Sequence, residues 1–221
     1  MPSTKSIGRR IAVEKTGIKN PTAKDSLEQF LDECIKQFLA TNGSARVVAE
    51  GLRVIGVGFR PLIDHIGFRA LDVEDRVREF LRFGYTYDAQ LGKVEYGGVW
   101  AKVYRKAGYP AIFISQPKDS KTSSRSPVSE WVRMFGTKPA HHLALRVEEI
   151  ESSVYFLEKQ GIVFSGKIIG DKGGNLRQRY TMPEIRNGQA FTVLEIIERN
   201  RGYGGFLASH ENLLDQSSTG S

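Results

Sequence analysis

The feature that constrains the fold most is an internal repeat, in which a strand-like and a helix-like segment recur 77 positions apart. The first copy begins with DHIGFR at residues 64–69, and the second begins with HHLALR at residues 141–146. Each copy continues with acidic residues, a stretch with helical spacing and a glycine. At this offset His65 is equivalent to His142. Because recurrence at a fixed offset indicates a repeated structural unit, the chain is predicted to contain a duplicated strand–helix unit.

Three short stretches of alternating apolar and polar residues follow each copy. This alternation, bounded by turn residues, is typical of antiparallel strands. The predicted strands lie at 93–96, 100–104 and 111–115 after the first copy, and at 163–169, 177–182 and 191–198 after the second. Each copy is therefore predicted to form a βαβββ module. The predicted fold class is α+β, with two tandem modules forming a curved mixed sheet behind an N-terminal helical segment.

These patterns also divide the chain into segments. Apolar residues at helical spacing between Leu27 and Leu39 indicate a helix before the first module, whereas both ends of the chain are polar. The predicted segments are a flexible arm at 1–24, a helical segment at 25–62, the first module at 63–116, a linker at 117–140, the second module at 141–206 and a tail at 207–221. The two modules are expected to form one domain.

Composition and charge limit the classes of function. No apolar run reaches the roughly 18 residues that span a bilayer, and the basic N-terminus lacks the apolar core of a secretory signal. We therefore expect a cytoplasmic protein without a membrane partner. The formal net charge is +7, but the basic residues are scattered among acidic ones, which indicates a solvated surface rather than a nucleic-acid site. A small anionic substrate would also suit the positive field. The sequence leaves a homo-oligomer open.

The histidine of each copy lies in a strand whose two faces differ. Alternate side chains of a strand share a face, so His65, Gly67 and Arg69 lie on one side. Ile66 and Phe68 lie on the other side, and the second copy shows the same contrast. The apolar side is predicted to carry the helix, and the histidine side is predicted to face a cavity.

Adding the last strand gives a predicted metal site. The single cysteine, Cys34, excludes a cysteine-rich zinc site, and Glu195 lies in an apolar run where a carboxylate is costly unless it is paired or metal-bound. The predicted ligands are His65, His142 and Glu195. Two histidines and one carboxylate form a facial triad, which favours Fe(II), with Mn, Co or Zn as substitutes. The alternatives are histidines hydrogen-bonded within the core and an ion pair of Glu195 with Arg199 or another basic residue.

The order of these motifs resembles the vicinal oxygen chelate superfamily, which includes glyoxalases, extradiol dioxygenases and 4-hydroxyphenylpyruvate dioxygenase. Within it, the chain is most similar to the 2-oxoadipate dioxygenase/decarboxylase family, also called hydroxyglutarate synthases. The segments that carry the resemblance are 64–69, 84–85, 112–115, 141–144, 176–182 and 195–199. Gln116 replaces a glutamate of the family pattern. The segment 194–206 is also similar to the C-terminal part of 4-hydroxyphenylpyruvate dioxygenase.

The resemblance implies an Fe(II)-dependent dioxygenase that uses dioxygen to decarboxylate a 2-oxo acid similar to 2-oxoadipate and yields a 2-hydroxy acid. It implies that the substrate chelates the metal and that Arg69 is a catalytic residue that holds a substrate carboxylate. Gln178 and Ser115 are expected as polar, substrate-binding groups of the cavity. The alternative for Arg69 is an ion pair with Asp64 or Glu195. The alternative for Gln178 and Ser115 is ordinary hydrogen bonding within strands.

Three other functions remain open from the sequence. The same scaffold supports glyoxalase-like lyases or isomerases, enzymes similar to 4-hydroxyphenylpyruvate dioxygenase, and non-catalytic modules that bind small molecules. Glyoxalases often carry a fourth metal ligand at the end of the first module, where this chain offers Ser115 and Gln116. That difference makes a lyase the weaker hypothesis. The complete set of triad positions argues against a non-catalytic module.

Overall fold

The fold is built around one large mixed sheet. A computed structural model describes residues 23–118 and 126–210, and in this part of the chain ten strands share the sheet. The predicted flexible arm at 1–24 and the predicted tail at 207–221 lie largely outside the described residues. Among the described helices, none has the length and apolarity that a membrane span requires.

Two helices precede the first module. Helix α1 (Ala23–Thr41) begins slightly before the predicted helical segment, and helix α2 (Gly43–Val54) follows after a single residue. That residue, Asn42, caps α2 because its side chain accepts a hydrogen bond from the Ala45 backbone N–H at 2.8 Å. A 3-10 helix at Arg60–Leu62 then leads into the sheet.

The first module has the predicted order of elements. It consists of β1 (Ile63–Arg69), α3 (Val73–Arg82), β2 (Thr86–Tyr87), β3 (Val94–Tyr96), β4 (Val99–Arg105) and β5 (Ala111–Pro117). Asp72 caps α3 by accepting from the backbone N–H groups of Glu74 and Asp75. Strand β2 was not predicted, because two residues carry too little alternation to be recognised.

A helix separates the two modules. Helix α4 (Pro127–Phe135) lies within the predicted linker, of which residues 119–125 are outside the described part of the chain. Its start has a clear local cause: the Ser126 and Ser129 side chains bond each other's backbone N–H at 3.0 Å in a capping box. Trp131 of this helix is buried against the histidine side of the sheet.

The second module repeats the first. It consists of β6 (Ala140–Val147), α5 (Ile150–Lys159), β7 (Phe164–Ile169), β8 (Leu176–Thr181), β9 (Glu184–Arg186) and β10 (Gln189–Arg199). The short strand β9 was not predicted. The two modules confirm the α+β class and the paired βαβββ units. The exact division of the chain into segments stays a prediction.

The modules join through their first strands. The strand order is β2-β4-β5-β1-β6-β10-β8-β7, with β3 on β4 and β9 on β10. Strands β1 and β6 are antiparallel to each other, while each is parallel to the last strand of its own module. The four central strands are therefore the first and last strands of the two modules, and these strands carry all three predicted ligands.

The two faces of the sheet divide as the alternation predicts. One face packs against α1, α3 and α5 in the main core, which contains Ile66, Phe68, Leu143, Leu194 and Ile196. The other face carries the histidines. Its flanks are filled by a second apolar cluster that includes residues of β4, β5 and α4.

Candidate metal centre

Neighbouring strands place the predicted ligands in two adjacent rows across the sheet. His65 of β1 lies opposite Ala144 of β6, and Ala144 in turn lies opposite Glu195 of β10. His142 of β6 lies opposite Gly67 of β1. Because the small residues Ala144 and Gly67 stand between the larger ones, the three side chains have room to converge over the centre of the sheet.

The three side chains are buried, and their polar atoms are close together. His65 Nε2 lies 3.1 Å from His142 Nε2 and 3.4 Å from Glu195 Oε2, and His142 Nε2 lies 4.0 Å from the same oxygen. One donor atom from each residue lies within 4.8 Å of the others. Ligand bonds of roughly 2.1 Å at right angles would separate donor atoms by roughly 3 Å. The observed spacing therefore fits a single ion.

The environment of the Glu195 carboxylate also fits a cation. Oε2 faces the two histidines, whereas Oε1 is buried and has no hydrogen-bond partner among the described residues. A buried polar atom without a partner costs free energy, which a metal ion would remove. The alternative in which Arg199 neutralises Glu195 is not what the structure shows, since the Arg199 guanidinium bonds Asp64 instead.

A carboxylate fixes the orientation of the His65 ring through Nδ1, the nitrogen that faces away from the other two ligands. Asp64 Oδ1 lies 2.9 Å from His65 Nδ1, and Arg199 donates to the two Asp64 oxygens at 2.8 and 2.9 Å. The arginine favours the ionised carboxylate, so Asp64 accepts and His65 carries its proton on Nδ1. This leaves the Nε2 lone pair of His65 for a metal, which is the usual arrangement of ligating histidines.

Burial and charge act differently on the two histidines. Burial favours the neutral form of His65, but the carboxylates of Glu195 and Asp64 outweigh it and raise its pKa to about 9. The pKa of His142 is lowered well below its ordinary value, first by burial and then by the positive charges of His65 and Arg69. The carboxylates that stabilise a proton on His65 would equally stabilise a metal cation in its place.

The His142 ring lies directly against the backbone of β1. A methyl group added at Gly67 would lie 2.0 Å from His142 Cε1, so the ring occupies space that any larger residue would fill. On its other side, His142 Nδ1 lies 3.3 Å from His141 Nδ1, with the two rings at 88°. His142 is thus held between a glycine and a second histidine.

Two phenylalanines form an apolar wall beside the histidines. The Phe206 ring packs edge-on against His65 with centroids 4.9 Å apart. The Phe113 ring lies 6.2 Å from that of His65 and 6.1 Å from that of His142. Because this wall replaces water on one side of the site, it strengthens electrostatic interactions among the ligands.

Arg69 and Ser115 face each other across β1 and β5. Arg69 is buried, and its guanidinium carbon lies 5.9 Å from the centroid of the Trp131 ring. Its charge helps to lower the pKa of His142, so it acts electrostatically on the site. Ser115 lies opposite Arg69 in register, but its hydroxyl donates to the Phe68 carbonyl at 3.4 Å. A hydrogen bond between neighbouring strands is what the alternative interpretation expects, and the substrate-binding role of Ser115 stays a prediction.

Gln178 lies on β8 beside the row that contains Glu195. Tyr180, two residues further on, is directly opposite Glu195, and the Gln178 amide donates to the Tyr180 hydroxyl. Gln178 Oε1 is buried without a hydrogen-bond partner among the described residues. This oxygen is an acceptor that a ligand could use, and the substrate-binding role of Gln178 stays a prediction.

Three supporting residues were missed by the sequence analysis. Asp64 and Arg199 form the pair behind His65, and Phe206 covers that ring. The signals were present but ambiguous: Asp64 directly precedes a predicted ligand, and Arg199 follows Glu195 by four positions. Neither spacing indicates that the two residues meet each other.

Comparison with known proteins gives matches at the level of structure. No protein-family model and no curated protein matches the sequence. The hydroxyglutarate synthase of Oryza sativa, solved with 2-oxoadipate, matches with a TM-score of 0.72 at 15% identity, over 99% of this chain and 98% of that one. A provisionally named glyoxalase superfamily protein from Ralstonia eutropha JMP134 matches with a TM-score of 0.63 at 12% identity, over 85% and 87%.

The chain has the vicinal oxygen chelate fold. A provisionally named hydrolase from Shewanella frigidimarina NCIMB 400 also matches, with a TM-score of 0.67 at 18% identity, over 86% of this chain and 99% of that one. At such identities the likeness shows the fold alone, and at that level the predicted resemblance is confirmed. In this vicinal oxygen chelate fold, the candidate ligands come from β1, β6 and β10.

The two modules of the fold differ at one position of the site. In the parallel strand pairs, Phe113 lies opposite Gly67, and Glu195 lies opposite Ala144. Gly67 and Ala144 are equivalent in the 77-residue repeat, so Phe113 and Glu195 occupy equivalent places. The first module therefore presents a phenyl ring where the second presents a carboxylate.

Proposed function

We propose that this protein is a metal-dependent 2-oxo acid dioxygenase that decarboxylates a small dicarboxylic 2-oxo acid such as 2-oxoadipate. The observation that carries the proposal is the buried cluster of His65, His142 and Glu195. Two imidazoles and one carboxylate are the donor set of non-heme Fe(II) oxygenases. The structural likeness to a hydroxyglutarate synthase solved with 2-oxoadipate supports this substrate class.

In this proposal His65, His142 and Glu195 hold the ion, with Fe(II) as the native metal and Mn, Co or Zn as substitutes. When bound, the ion supplies the Lewis acidity and redox chemistry that reaction with dioxygen requires. Phe113, at the position equivalent to Glu195, offers no ligand atom. A three-ligand set of this kind leaves coordination positions for exchangeable groups.

The proposed net reaction is balanced with dioxygen as the only co-substrate. The 2-oxo acid loses its carboxyl carbon as carbon dioxide and becomes a 2-hydroxy acid one carbon shorter. One atom of dioxygen enters the new carboxylate, and the other enters the hydroxyl group. With 2-oxoadipate the product is 2-hydroxyglutarate.

Three side chains have proposed roles around the ion. Arg69 binds a substrate carboxylate, a task that suits a guanidinium because its N–H groups match the two oxygens. Gln178 accepts a hydrogen bond at the buried Oε1 atom that has no partner among the described residues. Asp64 holds the Nδ1 proton of His65, which keeps the Nε2 atom turned toward the site.

One observation favours a second candidate substrate. The Phe113 and Phe206 rings lie 5.1 Å apart beside the histidines, and an apolar wall of this kind suits an aromatic 2-oxo acid, as in enzymes similar to 4-hydroxyphenylpyruvate dioxygenase. A glyoxalase-like lyase is less favoured, because the position equivalent to Glu195 is held by Phe113, which offers no ligand atom, rather than by Ser115 or Gln116 as the sequence suggested.

The deciding experiment is an oxygen-consumption assay. The protein is purified without oxygen, loaded with Fe(II) and mixed with 2-oxoadipate, an aromatic 2-oxo acid and a hemithioacetal, while oxygen uptake and carbon dioxide release are recorded. We expect equal uptake and release with 2-oxoadipate, and neither with the metal-free control His142→Ala. Absence of uptake with every 2-oxo acid would contradict the proposal, and oxygen-independent turnover of the hemithioacetal would establish the lyase.

Arg69→Lys tests the substrate site separately from the metal site. Lysine keeps the positive charge but loses the paired donors, so we expect a higher KM for the dicarboxylic substrate and an unchanged iron content. Loss of iron from this variant would show that Arg69 supports the ligands rather than the substrate.

A further inference from the structure

The residue before each candidate histidine ligand is the extra residue of a β-bulge. Where β1 pairs with β6, the register shifts once at Asp64, immediately before His65. It shifts again between Ala140 and His142, which leaves His141 as the extra residue of β6. Asp64 and His141 are themselves 77 positions apart. The two modules therefore repeat the bulge as well as the ligand.

Each bulge brings a side chain to the ligand that follows it. In a regular strand, adjacent side chains point to opposite faces, and a bulge is a local device that redirects one of them. Asp64 Oδ1 lies 2.9 Å from His65 Nδ1, and His141 Nδ1 lies 3.3 Å from His142 Nδ1. Equivalent residues thus contact the equivalent nitrogen of both ligands.

The direction of the hydrogen bond between the two adjacent histidines follows from the site. His142 Nε2 faces His65 Nε2 at 3.1 Å and Glu195 Oε2 at 4.0 Å, so a metal there would need the Nε2 lone pair. The proton of His142 then lies on Nδ1 and is donated to His141 Nδ1. His141 must accept with Nδ1 and carry its own proton on Nε2.

We propose that His141 is a positioning residue that fixes the orientation and tautomer of His142, as Asp64 does for His65. This inference rests on the proposed metal-binding function. His141 is 2% exposed, and its ring meets that of Trp131 edge-on at 5.6 Å. Trp131 is fixed in turn, because its Nε1–H donates to the Phe191 carbonyl at 2.8 Å. His141 is therefore held firmly enough to orient its neighbour.

The two positioning residues differ in charge, so the two histidine ligands are expected to differ in how strongly they donate to a metal. Asp64 is a carboxylate held by Arg199, whereas His141 is a second imidazole. A carboxylate behind a histidine raises the basicity of that ligand. His65 is therefore the stronger donor to a metal and His142 the weaker one.

The tautomers can be measured in the metal-free protein. Nitrogen-15 NMR of the labelled wild-type chain, correlating ring nitrogens with carbon-bound protons, reports which nitrogen carries the proton. We expect His142 protonated at Nδ1 and His141 protonated at Nε2. The opposite pair of tautomers would overturn the proposal. Because the wild-type protein is measured, this result does not depend on whether a variant folds.

Cobalt(II) affinity provides the second readout. His141→Phe keeps a buried aromatic ring but removes the acceptor, whereas His141→Asn loses the ring but keeps an oxygen near the position of Nδ1. We expect affinity about 10- to 100-fold weaker in His141→Phe and close to wild type in His141→Asn, with both folds verified by circular dichroism. Equal losses, or the reverse order, would show that His141 acts only through packing.

The two proposals fail in different ways. If the wild-type chain binds no cobalt(II), the proposed metal-dependent function is wrong, while the tautomers still decide whether His141 orients His142. If cobalt(II) binds and His141→Phe matches the wild-type affinity, the metal site stands and the positioning role is wrong.

Discussion

Gly67→Ala is the substitution that tests the metal centre with the smallest chemical change. The new methyl group would lie 2.0 Å from His142 Cε1 and 2.3 Å from both ring nitrogens, whereas ordinary contacts begin at 3.4 Å. The ring must therefore retreat by about 1.4 Å. Metal sites tolerate errors of roughly 0.2 Å in ligand distance, so a shift of this size should weaken cobalt(II) binding by at least about 10- to 100-fold. Overpacking should also cost about 1–3 kcal/mol of stability.

Cobalt(II) titration and urea unfolding measure these two effects together. Gly51→Ala is the matched control, because an added Cβ at this position in the last turn of α2 meets no described neighbour within 4 Å. Alanine is the better helix former, so this control should gain about 0.5–1 kcal/mol and keep the cobalt(II) affinity of wild type. If Gly67→Ala binds cobalt(II) as tightly as Gly51→Ala, His142 is not a ligand held in that position.

Two further predictions concern Cys34 and Phe113. Burial raises the pKa of the Cys34 thiol from 9.0 to about 11, so at pH 8 a thiolate-specific reagent should react about 100-fold more slowly with the native than with the urea-unfolded protein. Equal rates would show that α1 does not pack as described. Phe113→Glu places a second carboxylate at the position equivalent to Glu195, so the metal-free variant should melt below wild type and cobalt(II) should raise its melting temperature more than that of wild type. A variant that cobalt(II) does not stabilise would contradict the equivalence of the two positions.

The fold and the three candidate ligands could be predicted because they depend on periodic patterns. Alternation assigns His65 and His142 to one face of their strands, and the 77-residue offset makes them equivalent. Glu195 stands out as a carboxylate in an apolar strand. These signals are local, and the tertiary structure needs only to bring the strands together. The antiparallel pairing of β1 with β6 does this.

The residues that support the ligands could not be predicted in the same way. Strict alternation assigns Asp64 and His141 to the apolar face of their strands, and from the sequence His141 could be either a group behind a ligand or simply exposed. Their positions depend on bulges, which arise where two strands pair and are not visible in one strand alone. The contact between Asp64 and Arg199 likewise requires that β10 end near the start of β1, on the far side of β6, and this follows only from the strand order.

The difference between Phe113 and Glu195 sets the charge of the proposed site. The two modules supply one histidine each and one equivalent position each on their last strands, β5 and β10. Only the position on β10 carries a carboxylate. A divalent ion held by neutral His65, neutral His142 and one carboxylate would retain one net positive charge. Because buried charges are stable only when they are compensated, such a site favours an anionic ligand, and the carboxylate of the proposed 2-oxo acid would supply the negative charge.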